Sequence, residues 1–213
     1  MEYRTLRSGQ KISTIGIGVG NYGYENVPLS EIEKIFHTAF DKGVNFFDTC
    51  MSVSYPATAI AKVIKSNRQN LIMQNHLCVD YSTGAYKHLL TLSEIKDAFA
   101  AELEKYGTDY SDIGTIHFID EESDLERLID TGVIDYAFEL KKAGIIRNVA
   151  FSSHTPSVAL KTLEKHDFDA MFFGINAGYD YEPCENGLRI SQERVKLYEL
   201  CRKRNSHYRH EGI

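Results

Sequence analysis

Three histidines lie where a protein built from repeated strand–helix units would place its ligand site. They are His76 in LIMQNHL, His117 in IGTIHFID and His154 in VAFSSHTP, and each ends a short apolar run typical of a buried parallel strand. A fourth run, VNFFDTC, carries Asp48 near its end. Because the carboxyl ends of parallel strands line the ligand site in such folds, we expect this carboxylate and the three imidazoles to converge.

Imidazole and carboxylate groups together suit two kinds of chemistry. An imidazole that titrates near neutral pH can polarise a carbonyl or move a proton. Alternatively, His76, His117 and His154, together with Asp48, could bind zinc or iron, since these ligand types suit such metals. A lone histidine at a strand end is more often structural than functional. Three on successive strands favour a functional role.

The surrounding sequence predicts the elements that would position these side chains. YRTL and KIST around Ser8 and Gly9 are typical of a hairpin. Six apolar runs then alternate with amphipathic helical segments, which predicts a parallel sheet with helices outside. The expected fold is an incomplete TIM-type (β/α)8 barrel within one domain, residues 1–213, because no interdomain linker is visible. The six runs are ISTIGIGV, NFFDTC, LIMQNHL, DIGTIHFI, IRNVAFSSH and DAMFFGIN.

Several residues predict where the helices begin and end. Ser30 and Glu33 form the pattern of a capping box, and Ser93 is expected to cap the helix in LSEIKDAFAAELEKYG. Pro156 stands at a permitted first-turn position. Left-handed glycines are expected after three helices, at Gly43, Gly107 and Gly144.

Composition excludes several classes of partner. The chain has 213 residues, of which 43% are hydrophobic, so it can bury a large core. Its net charge of −6 gives no field that favours nucleic acid or an acidic membrane. We find no membrane span and no secretory signal, and the four cysteines form no CxxC pair. These features predict a cytoplasmic location with free thiols.

Five longer stretches give the chain a resemblance to a known family. The sequence resembles the aldo-keto reductases, and within them a clostridial and gut-bacterial branch whose longer members carry an iron–sulfur module. The chain has no cysteine cluster of that kind. The resemblance implies a TIM barrel that reduces a carbonyl substrate with NADPH. It rests on EYRTLRSGQKISTIGIGVGNYG, GVNFFDTC, LEKYGTDYSDIGTIHFID, LKKAGIIRNVAFSSH and FDAMFFGIN.

The resemblance also implies roles for individual residues. Asp48 matches the catalytic aspartate, and His117 matches the histidine that orients the carbonyl. NADP(H) is the implied cofactor. Ser152 and Ser153 match the Ser-Asn pair that holds its nicotinamide carboxamide, and Asn176 matches an asparagine that ends the sixth strand. Gly20 is also expected at the cofactor site, where a small residue lets the backbone approach closely at the barrel mouth.

Two catalytic positions depart from the family pattern. Val53 stands where the proton-donating tyrosine is expected, and Tyr55 follows two residues later. Tyr55 could take over proton donation only if its loop brought the hydroxyl to the site. His76 occupies the position of the catalytic lysine. With an ordinary pKa near ~6.5, a histidine would replace that lysine only in part.

The end of the sequence differs from the family most strongly. Residues 205–213, NSHYRHEGI, have no strand pattern, although the family barrel needs two more strand–helix units. Codons for these residues, shifted by one base, can encode Thr-Ala-Ile-Thr-Val-Met-Lys-Ala, which resembles the next strand. The hypothesis is therefore a frameshift near codon 205, with a naturally short tail as the alternative explanation of this end. A frameshift would imply impaired activity and self-association through exposed barrel edges. The alternatives are a metal-dependent barrel enzyme and a non-catalytic remnant or binding module.

Overall fold

The structure is a computed structural model that describes residues 1–18, 26–50 and 54–207. Its strands in chain order are β1 (Tyr3–Thr5), β2 (Lys11–Ser13), β3 (Gly16–Gly18), β4 (Phe46–Asp48), β5 (Ile72–Leu77), β6 (Val79–Asp80), β7 (Lys87–His88), β8 (Ser111–Ile116), β9 (Ile146–Ser153), β10 (Ala170–Phe173), β11 (Tyr181–Cys184) and β12 (Gly187–Ile190). Its α-helices are α1 (Leu29–Asp41), α2 (Ser54–Asn67), α3 (Leu92–Tyr106), α4 (Glu122–Asp130), α5 (Val133–Lys142), α6 (Pro156–Lys165), α7 (Ala177–Asp180) and α8 (Gln192–His207).

Six parallel strands form the main sheet, in the order β10-β9-β8-β5-β4-β3. Every neighbouring pair in this sheet is parallel, and helices alternate with the strands along the chain. The predicted architecture of an N-terminal hairpin and six strand–helix units is therefore confirmed. The loop after β5 contains the short hairpin β6–β7, and the loop after β10 contains β11–β12, neither of which was predicted.

The helices pack on one face of the sheet, and the larger part of the hydrophobic core lies between them and the strands. Fully buried side chains such as Phe36, Phe47, Ile60 and Phe151 join the strands to the helices. The opposite face, which is the inside of the barrel, holds a smaller cluster formed by Ile72, Ile113, Ala150, Phe46, Phe172, Leu6 and Ile12. The buried area on both faces holds the strand ends in fixed positions.

The hairpin β1–β2 closes the amino-terminal end of the barrel. Tyr3 pairs with Ser13, and Thr5 pairs with Lys11, as the hairpin prediction requires. The turn between β1 and β2 contacts the main sheet, where the Gln10 side-chain amide donates to the Asp112 carboxylate at 2.6 Å. Asp112 is fully buried and also accepts hydrogen bonds from Arg68 and Arg147, so this end of the barrel carries a structural ion network.

Two of the predicted helix caps are wrong. Helix α1 begins one residue before Ser30, its N-cap is Pro28, and no side chain caps it. The N-cap of α3 is Thr91, whose hydroxyl accepts from the backbone N–H of Glu94, so Ser93 lies within the first turn. In both cases a better-placed upstream residue already has the extended backbone that a cap position needs.

The other predictions about helix ends are confirmed. Pro156 is the first residue of α6. Gly43, Gly107 and Gly144 have φ angles of +88°, +62° and +77°, which a residue with a Cβ atom adopts only with strain.

The last helix extends into the unusual end of the sequence. Residues 205–207 belong to α8, and residues 208–213 lie outside the described part of the chain. In the described part, no helix combines the length and the apolar character needed to cross a membrane.

Candidate active site

Three of the four predicted strand-end residues meet at the carboxyl edge of the sheet. Asp48 is the last residue of β4, His76 is the fifth residue of β5, and His117 directly follows β8. These strands are adjacent in the sheet, so their ends lie side by side even though the residues are 28 and 41 positions apart in sequence. The predicted convergence is therefore observed for this set.

The three side chains form a continuous chain of polar contacts. His76 Nε2 lies 3.2 Å from Asp48 Oδ1, and His76 Nδ1 lies 2.8 Å from His117 Nδ1. Both imidazoles are buried, and the Asp48 side chain is about one-third exposed. One ring nitrogen of His76 thus contacts a carboxylate while the other contacts the next imidazole.

The turn after β4 holds Asp48 in place. The Asp48 carboxylate accepts a hydrogen bond from the backbone N–H of Cys50 at 2.9 Å, so the same oxygen contacts Cys50 and His76. The Thr49 hydroxyl donates to the carbonyl of Gln74 at 2.6 Å, which fastens the turn to β5. The end of β4 is therefore fixed relative to His76.

Backbone contacts from both neighbouring strands fix His117. Its N–H donates to the Leu77 carbonyl at 3.1 Å. The next residue, Phe118, has a φ of +53°, and its N–H donates to the buried hydroxyl of Ser152 at 2.9 Å. A non-glycine residue in the left-handed region stores strain, which this hydrogen bond offsets. Phe118 also stacks on the His117 ring, with centroids 3.7 Å apart.

The environment drives the pKa values of the two imidazoles apart. Burial alone would lower the pKa of His76, but hydrogen bonds and charge interactions with Asp48 and Cys50 outweigh it and raise that pKa to about 10. Burial, followed by the nearby charge of His76, lowers the pKa of His117 to about 3. His76 is therefore an imidazolium at neutral pH, and His117 is a neutral imidazole.

Asp48 stays ionised in this arrangement. Burial opposes its charge, but the hydrogen bond from His76, the charge of that ring and the Cys50 N–H together hold the pKa of Asp48 below its usual value. Asp48 and His76 therefore form a carboxylate–imidazolium pair.

The donor and acceptor roles in these hydrogen bonds determine which ring nitrogens of His76 and His117 carry protons. A charged His76 donates from both ring nitrogens, so His117 Nδ1 must accept and the proton of His117 must reside on Nε2. The Gln74 side-chain amide nitrogen lies 2.7 Å from His76 Nε2, while its own oxygen is buried without a partner in the described residues. Turning this amide over lets that oxygen accept from His76 Nε2, which removes the contact between two donors.

His117 Nε2 remains as a free donor. It is buried and has no hydrogen-bond partner among the described residues. Such a donor costs free energy unless a ligand satisfies it. The arrangement can therefore present one N–H group to an acceptor, such as a carbonyl oxygen, with a positive charge directly behind it.

His154 does not join the cluster, so the expectation that all three histidines converge is wrong. Its Nδ1 lies 2.9 Å from Asp120 Oδ2, and its side chain is 61% exposed. The loop after β8 supplies Asp120, which also accepts the backbone N–H of His154 at 2.6 Å. These two contacts hold His154 towards solvent, and the metal ligand set His76, His117 and His154 is not assembled.

Tyr55 is also placed away from the cluster. It lies in the first turn of α2, it is 44% exposed, and its hydroxyl donates to the carbonyl of Val27 at 3.0 Å. Its hydroxyl has no hydrogen bond to Asp48, His76 or His117. A catalytic role for Tyr55 stays a prediction that would require this bond to break.

The predicted cofactor residues differ in how free their side chains are. Ser152 accepts from Phe118 N–H, which leaves its own hydroxyl proton available. The Ser153 hydroxyl is engaged with both the N–H and the carbonyl of Thr155. Asn176 caps α7 through its side-chain oxygen and is exposed. Gly20 and Val53 lie outside the described residues.

Sequence reasoning missed two residues beside the cluster. Cys50 was not among the predicted site residues, yet its sulfur and one nitrogen each of His76 and His117 all lie within 4.8 Å of one another. Its place two residues after the strand-end aspartate was an available signal. Glu102, on α3, lines a small cavity of about 10 Å³ together with Cys50 and His76. Nothing in the helical pattern distinguishes Glu102 from a surface residue.

Comparison with known proteins connects this geometry to a family. Residues 14–206 match the family model described as Aldo/keto reductase family. Over 170 residues the chain is 25% identical to the chloroplastic pyridoxal reductase of Arabidopsis thaliana, an alignment that covers 74% of this chain and 45% of that protein.

Solved structures share the fold at lower identity. An aldo-keto reductase from Bacillus halodurans, solved in its holo form, aligns with a TM-score of 0.68 and 23% identity, covering 82% of this chain and 58% of that one. A Bombyx mori aldo-keto reductase in complex with NADP aligns with a TM-score of 0.60 and 18% identity over the same shares. The chain thus spans about half the length of these relatives.

The chain belongs to the aldo/keto reductase family, since the family match extends over nearly all of its residues. Its parallel sheet and the alternating helices agree with that assignment.

Proposed function

We propose that this chain carries the carbonyl-binding half of an NADP(H)-dependent aldo/keto reductase site, in which His117 polarises the substrate. The observation that supports this most strongly is the buried, unpartnered Nε2 of His117 beside the Asp48–His76 pair. A donor of this kind stabilises negative charge that develops on a carbonyl oxygen during reduction.

The same contacts provide a route for the proton. When bound, the reduced cofactor supplies a hydride to the carbonyl carbon. His117 donates its Nε2 proton to the developing alkoxide and accepts a proton at Nδ1 from His76. His76 becomes neutral, and the cluster is reset after the alcohol leaves, when solvent returns a proton to His117 Nε2 and the Nδ1 proton of His117 passes back to His76. The carbonyl is reduced to an alcohol, and the proton passes between atoms that already lie 2.8 Å apart.

The residues present fit the nicotinamide part of the cofactor. The hydroxyl proton of Ser152 is available at the end of β9, one strand from His117. Asn176, at the end of the next strand, offers an amide nitrogen. Ser153 is better explained as a structural residue that fastens the turn into α6, because both of its hydrogen-bonding capacities are used by Thr155.

The substrate class that the site suits is an aldehyde or ketone. The similarity to a pyridoxal reductase makes pyridoxal the first aldehyde to try. The exposed aromatic ring of Tyr86 lies 6.0 Å from the His117 ring and offers a flat apolar surface at the site. An aromatic aldehyde would therefore fit better than a highly charged one.

Turnover and binding test this proposal separately. NADPH oxidation should be followed with pyridoxal and a panel of simple aldehydes, and NADPH binding should be measured by the quenching of its fluorescence. His117→Ala should remove carbonyl reduction without preventing NADPH binding. His154→Ala, a strand-end histidine outside the cluster, should leave both unchanged. Equal turnover in wild type and His117→Ala would refute the assignment.

Self-association is a second property that we propose. Within the described part of the chain, β3 pairs only with β4, and β10 pairs only with β9, so each leaves one edge free. Unpaired edges of this kind recruit strands from other molecules. A monodisperse monomer in light scattering would contradict this idea.

The location of the protein, its branch of the family and the frameshift also remain predictions. All four cysteines are free, which supports a reducing cytoplasm as the location. The clostridial branch rests on the sequence resemblance alone. The frameshift near codon 205 can be tested by reading the DNA in the shifted frame.

A further inference from the structure

We propose that Cys50, His76 and His117 form a binding site for a borderline-soft divalent cation, and that Zn²⁺ is the metal ion that fits it best. The basis is a cluster of one sulfur and two imidazole nitrogens whose ligand atoms all lie within 4.8 Å of one another. This set differs from the one expected from the sequence, because Cys50 takes the place of His154. Thiolate and imidazole are the ligands that zinc prefers in proteins.

The distances in the cluster need little adjustment to accept a metal. Around tetrahedral Zn²⁺, with Zn–N bonds of about 2.0–2.1 Å, two nitrogen ligands lie about 3.3 Å apart. His76 Nδ1 and His117 Nδ1 are 2.8 Å apart, so the rings would separate by about half an ångström to accept the metal. The metal would replace the proton that the two nitrogens share, so the metal-bound form is distinct from the metal-free form in which His76 passes a proton to His117.

The surroundings of the cluster match those of known metal sites. A ligating histidine usually donates its second ring N–H to a carboxylate, which fixes the orientation of the ring. Asp48 contacts His76 Nε2 on the side away from His117, and that is the position such a carboxylate would take. Gln74 contacts the same nitrogen. His76 is thus held with Nδ1 towards the proposed metal.

A partly buried carboxylate lies beside the three ligands and can complete the set through a water molecule. Glu102 lines the cavity of about 10 Å³ that also touches Cys50 and His76. Its Oε2 is buried and has no hydrogen-bond partner in the described residues, and burial raises the pKa of this carboxyl despite the nearby Lys105. A cavity of this volume holds about one water molecule, so Glu102 can reach the metal through that water.

Cobalt spectroscopy tests the site without any catalytic assay. Metal-free protein should be titrated with Co²⁺, which reports a thiolate ligand by a charge-transfer band in the near ultraviolet and a tetrahedral site by strong visible bands. The wild type should show both signals at one ion per chain, and Zn²⁺ should displace the cobalt. Cys50→Ser should lose the charge-transfer band, and Asp48→Asn should weaken binding by about 10–100-fold.

Two control variants separate this site from other thiols and histidines. Cys184→Ser, on the hairpin β11–β12, and His154→Ala should keep the complete spectrum. A charge-transfer band that survives in Cys50→Ser, or a wild-type spectrum of hydrated Co²⁺ only, would overturn the proposal. If Cys50→Ser fails to fold, an anomalous difference map of zinc-soaked wild-type crystals tests the site instead. A zinc peak between Cys50, His76 and His117 would support the site, and a peak elsewhere or no peak at all would refute it. NADPH binding is measured independently, so a failed metal site leaves the proposed reductase function open.

Discussion

Asp48→Asn should destabilise the metal-free protein in a pH-dependent manner. The substitution keeps the shape of the side chain but removes the charge that faces His76 Nε2 at 3.2 Å. His76 is buried, so its positive charge would lose its partner in a site that disfavours charge. The variant should therefore lower both the pKa of His76 and the free energy of unfolding at neutral pH.

The distance sets the size of the effect. Two unit charges 3.2 Å apart interact by about 5 kcal/mol at an effective dielectric constant near ~20. Solvent reaches the one-third exposed Asp48 carboxylate and reduces this to about 2–3 kcal/mol. Since about 1.4 kcal/mol corresponds to one pKa unit, the pKa of His76 should fall by about two from its wild-type value of about 10.

The sign of the pH dependence follows from the direction of each pKa change. The pKa of His76 is raised on folding, so the stability it contributes is complete below its ordinary value of 6.5 and is lost as the pH rises through about 10. The pKa of Asp48 is lowered, so its contribution is present above 3.8 and disappears as the pH falls below that value. Below about pH 8 His76 is charged in both folded proteins, so the stability difference between wild type and Asp48→Asn is complete from there down to about pH 4 and declines as the pH rises towards about 10.

Urea unfolding in the presence of a chelator measures this difference. The loss should be about 2–3 kcal/mol at pH 7 and should vanish above about pH 10.5, where His76 is neutral in both proteins. The control is Asp41→Asn, on an exposed position at the end of α1. An equal loss at both pH values, or an unchanged midpoint at pH 7, would refute the carboxylate–imidazolium pair.

Three further predictions concern the site and its supporting structure. His117→Ala should lower kcat/KM for aldehyde reduction by about 10²–10³-fold, the effect of removing one oxyanion donor, with the Kd for NADPH unchanged. Asp112→Asn should cost about 3 kcal/mol in urea unfolding, because it leaves two arginines without their buried partner, whereas the exposed Asp109→Asn should cost almost nothing. Gly107→Ala should lower stability by about 1 kcal/mol in thermal unfolding, since its φ is +62°.

The strands and the positions of their ends could be predicted from sequence because they depend on local apolar runs. Asp48, His76 and His117 follow such runs, and adjacent parallel strands must bring their carboxyl ends together. His76 and Gln74 also alternate onto the same face of β5, which a strand period of two requires. The part of the site that rests on strand geometry was therefore accessible without a structure.

The parts that could not be predicted depend on loops and on side-chain direction. His154 ends its strand as the other histidines do, but the loop after β8 places Asp120 beside it and holds it towards solvent. Cys50 enters the cluster because the turn after β4 folds back onto the Asp48 carboxylate. Glu102 reaches the site from α3 through tertiary packing, which the helical pattern does not encode.

The proton on His117 tests the central claim most directly. Nitrogen-15 NMR of the metal-free protein at neutral pH distinguishes the two neutral tautomers and the charged form of each histidine. We expect His117 to be neutral with its proton on Nε2, beside a doubly protonated His76. A proton on Nδ1 of a neutral His117, or a charged His117 beside a neutral His76, would contradict it.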